Sequence, residues 1–135
     1  MRPMRVMAIV NSGAGSGSAG EIDAEKLRKL FLDAGIEADV RIVPGDQVGE
    51  AAEEAVRSGV DAVVAGGGDG TIRAVAAHLA GGPIPLGVLP VGTLNHFARD
   101  LGIPLDLPEA VGVIAQGAIH DLDVGEVNGE VFVNN

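Results

Sequence analysis

The chain has 135 residues, enough for one domain with a core of its own. Nine Lys and Arg against nineteen Asp and Glu leave a net charge of −10, which argues against a nucleic-acid partner and against a polybasic grip on anionic lipid. With no Cys there is no disulfide framework, thiolate nucleophile or Cys-ligated metal, no apolar run reaches the roughly 18 residues that span a bilayer, and residues 7–10 are too few for a signal h-region, so a cytoplasmic protein is expected.

Residues 4–10 read as a short apolar strand running into Asn11-Ser12-Gly13-Ala14-Gly15-Ser16-Gly17-Ser18-Ala19-Gly20. A helix follows, with Leu27, Leu30, Phe31 and Ala34 at i, i+3, i+4 and i+7 and Gly35 as its stop. Residues 38–43 form a second predicted strand and Pro44-Gly45-Asp46 a turn. Val48, Ala51, Ala52, Ala55, Val56 and Gly59 then make one helical stripe, with Glu50, Glu53, Glu54 and Arg57 on the wet side. Residues 60–65 are almost wholly apolar, as in a strand buried on both faces. They break into Gly66-Gly67-Gly68-Asp69-Gly70-Thr71 and a helix carrying Ile72, Val75, Ala76 and Leu79, closed by Gly81-Gly82-Pro83. Residues 86–89 are a fourth strand, ending in Pro90-Val91-Gly92-Thr93. A helix with Leu94, Phe97, Ala98 and Leu101 and a shorter one over 108–116 follow. Residues 119–127 and 131–133 around Asn128-Gly129 predict a terminal hairpin, whose unpaired edge invites a second copy and so a homodimer.

The strand–helix alternation predicts an α/β fold: a mainly parallel sheet between two helical layers. Ligands on such sheets sit at the carboxyl ends of the strands, and three loops converge there. The first holds Gly15-Ser16-Gly17-Ser18-Ala19-Gly20, a G-x-G-x-x-G match. By itself it fits a flexible connection as well as a phosphate cradle, and Asp39 and Asp46 are both imperfect as the acid a dinucleotide ribose requires. In the second loop, three glycines let backbone approach a bulky anion and Gly70 permits a positive φ. Asp69 suits a metal-bound water, a ribose hydroxyl or a helix cap, and Thr71 stands where its hydroxyl caps the helix or bonds a phosphate. In the third, Thr93 and Asn95 offer polar groups, with Thr93 also a plain helix cap. His78, His96 and His120 read as surface or packing histidines, and Glu50, Glu53 and Glu54 as a solvated face.

Gly67-Gly68-Asp69-Gly70-Thr71, followed by Pro90-Val91-Gly92-Thr93-Leu94-Asn95-His96-Phe97-Ala98-Arg99, resembles the catalytic domain of diacylglycerol kinases and of their sphingosine-kinase and bacterial lipid-kinase relatives. Asn11-Ser12-Gly13-Ala14-Gly15-Ser16-Gly17 resembles the opening loop of the same family, Asn-Pro-x-Ala/Ser-Gly-x-Gly. The first motif is shared with NAD kinases; the Gly-Thr-x-Asn-x-Phe-Ala-Arg segment separates the lipid kinases from them. The resemblance implies a phosphofructokinase-like domain that holds ATP and Mg²⁺ and transfers a phosphoryl group to a lipid hydroxyl. Carried over by position, Asn11, Ser12, Gly13, Ala14 and Gly15 line the nucleotide. Gly67, Gly68, Asp69, Gly70 and Thr71 contact its phosphates and ribose, with Asp69 orienting phosphate or metal. Thr93 and Asn95 complete the pocket.

The chain departs from the family pattern in three places: Ser12 stands for a proline, Arg73-Ala74 for Asn-Glu, and the Thr that many bacterial relatives have before Pro44 is absent. The family's second, β-rich domain, which brings the acidic base and the lipid pocket, is expected to be missing from residues 1–135, leaving little turnover. Peripheral membrane contact is expected only of a longer protein. The alternatives are an NAD kinase-like enzyme, a non-catalytic nucleotide-binding module and a dinucleotide-binding domain.

Overall fold

The computed structural model describes residues 3–13 and 23–89, together with Val111 and Ile114. Among the described residues four strands form one parallel sheet in the order β2-β1-β3-β4: β1 (Met4–Asn11), β2 (Ile36–Val43), β3 (Ala62–Gly66) and β4 (Leu86–Leu89). Helix α1 (Ala24–Asp33) connects β1 to β2, α2 (Val48–Ser58) connects β2 to β3, and α3 (Asp69–Leu79) connects β3 to β4. A single 3₁₀ turn, Gly45–Gln47, precedes α2.

The chain steps one way from β1 to β2, then the other way to β3 and β4. Right-handed crossovers therefore put α1 on one face and α2 and α3 on the other. The packing agrees: α1 lies on β2, whereas α2 lies against α3, β1 and β3. A layer on each face explains why β3 and β4 are buried along their whole length and β1 from Val6 to Val10. Each Val or Ile so buried contributes about 1.5–3 kcal/mol. Phe31 and Leu27 anchor α1 to this core, and Val48, Ala51, Ala52 and Ala55 anchor α2. Val111 and Ile114, from the segment expected as a short helix, are helical and buried, and Ile114 packs toward the bare backbone of Gly87 in β4.

Several boundaries move from those the sequence suggested. β2 starts at Ile36, because Ile36 is buried and pairs with Met4. β3 runs over Ala62–Gly66 instead of 60–65; Val60 is buried but outside the ladder, while Gly66 pairs with Leu89. Gly35 ends α1 as expected, at φ +83°. The predicted α2 stripe is two residues too wide, since Val56 is 41% exposed and Gly59 is an exposed left-handed cap beyond Ser58. The acidic face of α2 is also more than solvated. Glu54 Oε2 accepts from Arg41 Nη2 at 2.8 Å, and the same guanidinium bonds Asp39 at 3.0 Å, tying α2 to the edge strand β2. Arg41 is held charged chiefly by Glu54 and then Asp39, and Arg41 in turn pulls the Glu54 carboxyl below its ordinary range.

Candidate functional site

In a parallel sheet every strand delivers its following loop to one rim. The register here aligns Asn11 with Val43, Val10 with Gly66, and Gly66 with Leu89, so the four exits stand side by side. β1 has β2 on one side and β3 on the other, which makes its carboxyl end the point where the chain order reverses and a crevice opens. The loops from β1 and β3 meet there. Asn11 Nδ2 donates to Thr71 Oγ1 at 3.1 Å across sixty residues of sequence, and Asn11 Oδ1 accepts from the Gly13 N–H at 2.8 Å.

Helix α3 begins at the crevice. Its N-cap position is Gly68, which offers no side chain, and the first helical bond is donated by the Thr71 N–H to the Gly68 carbonyl at 3.0 Å. The amides of Asp69 and Gly70 precede that bond and so have no partner within the helix. A cleft of about 380 Å³ opens here, lined by Asn11, Gly45, Val48, Gly68, Gly70, Thr71 and Ala74. A Cβ added at Gly68 or Gly70 would meet nothing within 4 Å, so both glycines face free space.

The site residues read from the sequence fall out as follows. Asn11, Ser12 and Gly13 lie at the end of β1; Gly67 and Gly68 join β3 to α3; Asp69, Gly70 and Thr71 form the first turn of α3. Asn11, Gly68, Gly70 and Thr71 are brought together on one cleft. Ala14, Gly15, Thr93 and Asn95 lie outside the described residues, as do the tract through Gly20, the terminal hairpin, His96 and His120. The chain leaves β4 at Leu89 on the same rim.

Two local expectations are corrected. The positive φ belongs to Gly67, at +153°, and not to Gly70, which is helical. Thr71 does not cap its helix: its side chain is buried and engaged by Asn11. Asp39 lies in mid-β2, away from the rim, and bonds Arg41. His78 is an exposed histidine whose Nδ1 lies 3.0 Å from the Ala74 carbonyl.

Gly45, Val48 and Ala74 were not anticipated as cleft residues. The signal was available for the first two: Pro44-Gly45-Asp46 follows a strand, and parallel topology alone sends that turn to the common rim. Gly45 comes so close that a Cβ there would sit 3.3 Å from Asn11 Nδ2. Ala74 occupies a position where a longer polar side chain would enter the cleft, so here that wall is a methyl group.

Comparison with known proteins gives one answer from sequence and structure. The family of the diacylglycerol kinase catalytic domain matches residues 5–127. A probable lipid kinase YegS-like protein of Pseudomonas aeruginosa is 47% identical over 107 residues, covering 76% of this chain and 34% of its own length. A diacylglycerol kinase of Bacillus subtilis is 42% identical over 118 residues, covering 82% and 38%. The crystal structure of a putative diacylglycerol kinase from Bacillus anthracis superposes with a TM-score of 0.64 at 26% identity, over 87% of this chain and 43% of that one. The chain thus spans between a third and a half of the length of these relatives.

Proposed function

The chain belongs to the diacylglycerol kinase catalytic-domain family, and on that premise we propose that residues 1–135 are the ATP-holding part of a lipid kinase. One observation carries the reading: the loops leaving β1 and β3 are joined through Asn11 and Thr71 at the sheet's switch point, beside the open start of α3. That arrangement suits a polyphosphate, because α3 begins with amides that have no partner within the helix and carries the positive end of its dipole there.

In this reading Asn11, Ser12, Gly13, Ala14 and Gly15 border the nucleotide. Gly67, Gly68, Asp69, Gly70 and Thr71 receive its phosphates, and Thr93 and Asn95 complete the pocket. Val48 and Ala74 supply the apolar wall. During transfer the bond from the γ-phosphorus to the β,γ-bridging oxygen breaks and a bond to the lipid hydroxyl oxygen forms. The hydroxyl proton passes to a base. Such a reaction asks little covalent chemistry of the protein, so fixed donors that stabilise charge on the departing phosphate do most of the work.

Among the described residues, no group of three or more His, Cys, Asp or Glu is gathered to cage a metal ion. A magnesium ion would be held by the phosphates of the nucleotide, with Asp69 as the carboxylate that this loop could offer it. Such an ion would neutralise charge on the phosphate oxygens. The base and the lipid acceptor site are assigned to a further β-rich domain, so this stretch by itself binds nucleotide without sustained turnover. The longer kinase would then work at a membrane surface. Among the described residues no helix is long and apolar enough to cross one.

Calorimetric titration with ATP and Mg²⁺ tests the reading. Saturable binding, displaced by ADP, is expected; no binding at millimolar ATP refutes it. Steady phosphorylation of diacylglycerol in mixed micelles by residues 1–135 alone would overturn the assignment of base and acceptor site elsewhere. Formation of NADP from NAD would favour an NAD kinase-like activity, whose Gly-Gly-Asp-Gly-Thr motif this chain shares.

A further inference from the structure

We propose that Asn11 is a positioning residue: it fixes the Thr71 hydroxyl as a hydrogen-bond donor, so that the cleft favours a ligand atom that accepts, such as a phosphate oxygen. This rests on the ATP reading and deepens it. The Gly13 backbone N–H can only donate, and it lies 2.8 Å from the Asn11 side chain, so it faces the amide oxygen. That contact sets which way round the amide sits. The other end, Nδ2, carries protons and no lone pair for bonding, and it points to Thr71 Oγ1 at 3.1 Å. The hydroxyl oxygen therefore accepts, and its own proton must find an acceptor elsewhere.

Thr71 is 6% exposed and lines the cleft, and among the described residues Asn11 is its side chain's one hydrogen-bond partner. A hydroxyl normally donates or accepts as its surroundings require. Here one backbone amide, through one side chain, removes that choice. A ligand oxygen with a free lone pair completes the chain Gly13 to Asn11 to Thr71 to ligand; an ammonium group, which has only protons to offer, meets another proton. Both the phosphate chain of ATP and free phosphate have the required chemistry.

The test is a double-mutant cycle on the 135-residue chain, read as affinity for ATP, tripolyphosphate, inorganic phosphate and adenosine. In Asn11→Asp the carboxylate still accepts from Gly13, but its second oxygen also accepts, so the Thr71 hydroxyl turns to donate to it and presents a lone pair to the cleft. ATP and tripolyphosphate should then bind about tenfold to a hundredfold more weakly, while adenosine binding is unchanged. Asn11→Ala should cost less than Asn11→Asp, since the freed hydroxyl keeps its proton for the ligand. With Thr71→Val in place, Asn11→Asp should leave only a charge penalty that salt screens. Should Asn11→Asp not fold, the cycle run with Asn11→Ala decides by the same criterion.

Equal, additive penalties with and without the Thr71 hydroxyl would overturn the positioning role, as would a loss of adenosine binding equal to that of tripolyphosphate. Binding of inorganic phosphate with the same coupling, but no ATP, would keep the role and assign the site to free phosphate. If the unaltered chain binds none of these phosphates, the ATP reading and this role fall together; if it binds ATP and the cycle is additive, only the role falls.

Discussion

Replacing Gly67 by alanine should be among the most costly single-methyl changes in this domain. Gly67 holds φ at +153°, a backbone conformation that residues with a Cβ rarely adopt. The added methyl would lie 2.8 Å from Thr71 Oγ1, 2.9 Å from Thr71 Cβ and 3.1 Å from Thr71 Cγ2. Turning the Thr71 side chain exchanges the outer two contacts but cannot move its Cβ, which is fixed to the first turn of α3. The loop or the helix must therefore shift. Overpacking costs about 1–3 kcal/mol and the strained φ a similar amount, so a loss of about 2–5 kcal/mol is expected. At a urea dependence of about 2 kcal/mol per molar, the unfolding midpoint followed by circular dichroism should fall by about 1–2.5 M. Gly70→Ala, three residues on, is the matched control: its methyl meets nothing within 4 Å and its position is helical. It should stabilise the chain by up to about 1 kcal/mol. Equal midpoints for the two variants would refute the claim that the β3–α3 turn is closed by contact between Gly67 and Thr71.

Gly70→Ala carries a second expectation, because Gly70 lines the cleft: ATP affinity measured by calorimetry should fall even as the midpoint rises. Phe31→Ala removes the largest fully buried side chain of the described core and should cost about 3–5 kcal/mol in urea unfolding. Glu54 governs an acid-limb effect. Arg41 holds its carboxyl below the ordinary 4.5, so its contribution is fully present above that pH and is lost as pH falls through the lower folded value. Glu54→Gln should therefore flatten the stability–pH curve below 4.5, and an unchanged slope there would argue against the α2–β2 ion pair.

What could be read directly from the residues were features set by local pattern. The unbroken apolar run at β3 announced a strand covered on both faces, and the strand–helix alternation implied a parallel sheet with its loops on one rim. The helical spacing of Leu27, Leu30 and Phe31 placed α1, and Gly35 its end. The clustering of Gly67 to Thr71 after a buried strand marked a strand-to-helix turn so free of side chains that it leaves the start of α3 open.

Which residue performs which task at that loop was decided only by tertiary contacts. Composition makes Gly67, Gly68 and Gly70 look alike; the fold gives the positive φ and the close contact to Gly67 alone, because only there does the backbone pass over Thr71. Spacing makes Thr71 a helix cap, yet the Asn11 amide, brought sixty residues through the β1–β3 register, claims its hydroxyl instead. Gly45 and Ala74 entered the cleft for the same reason, and Glu54 became a tether because the crossover laid α2 over Arg41. Sequence periodicity reports how a residue relates to its near neighbours along the chain. Hydrogen bonds and steric limits act between atoms adjacent in space, and in a sheet ordered β2-β1-β3-β4 those neighbours come from distant segments.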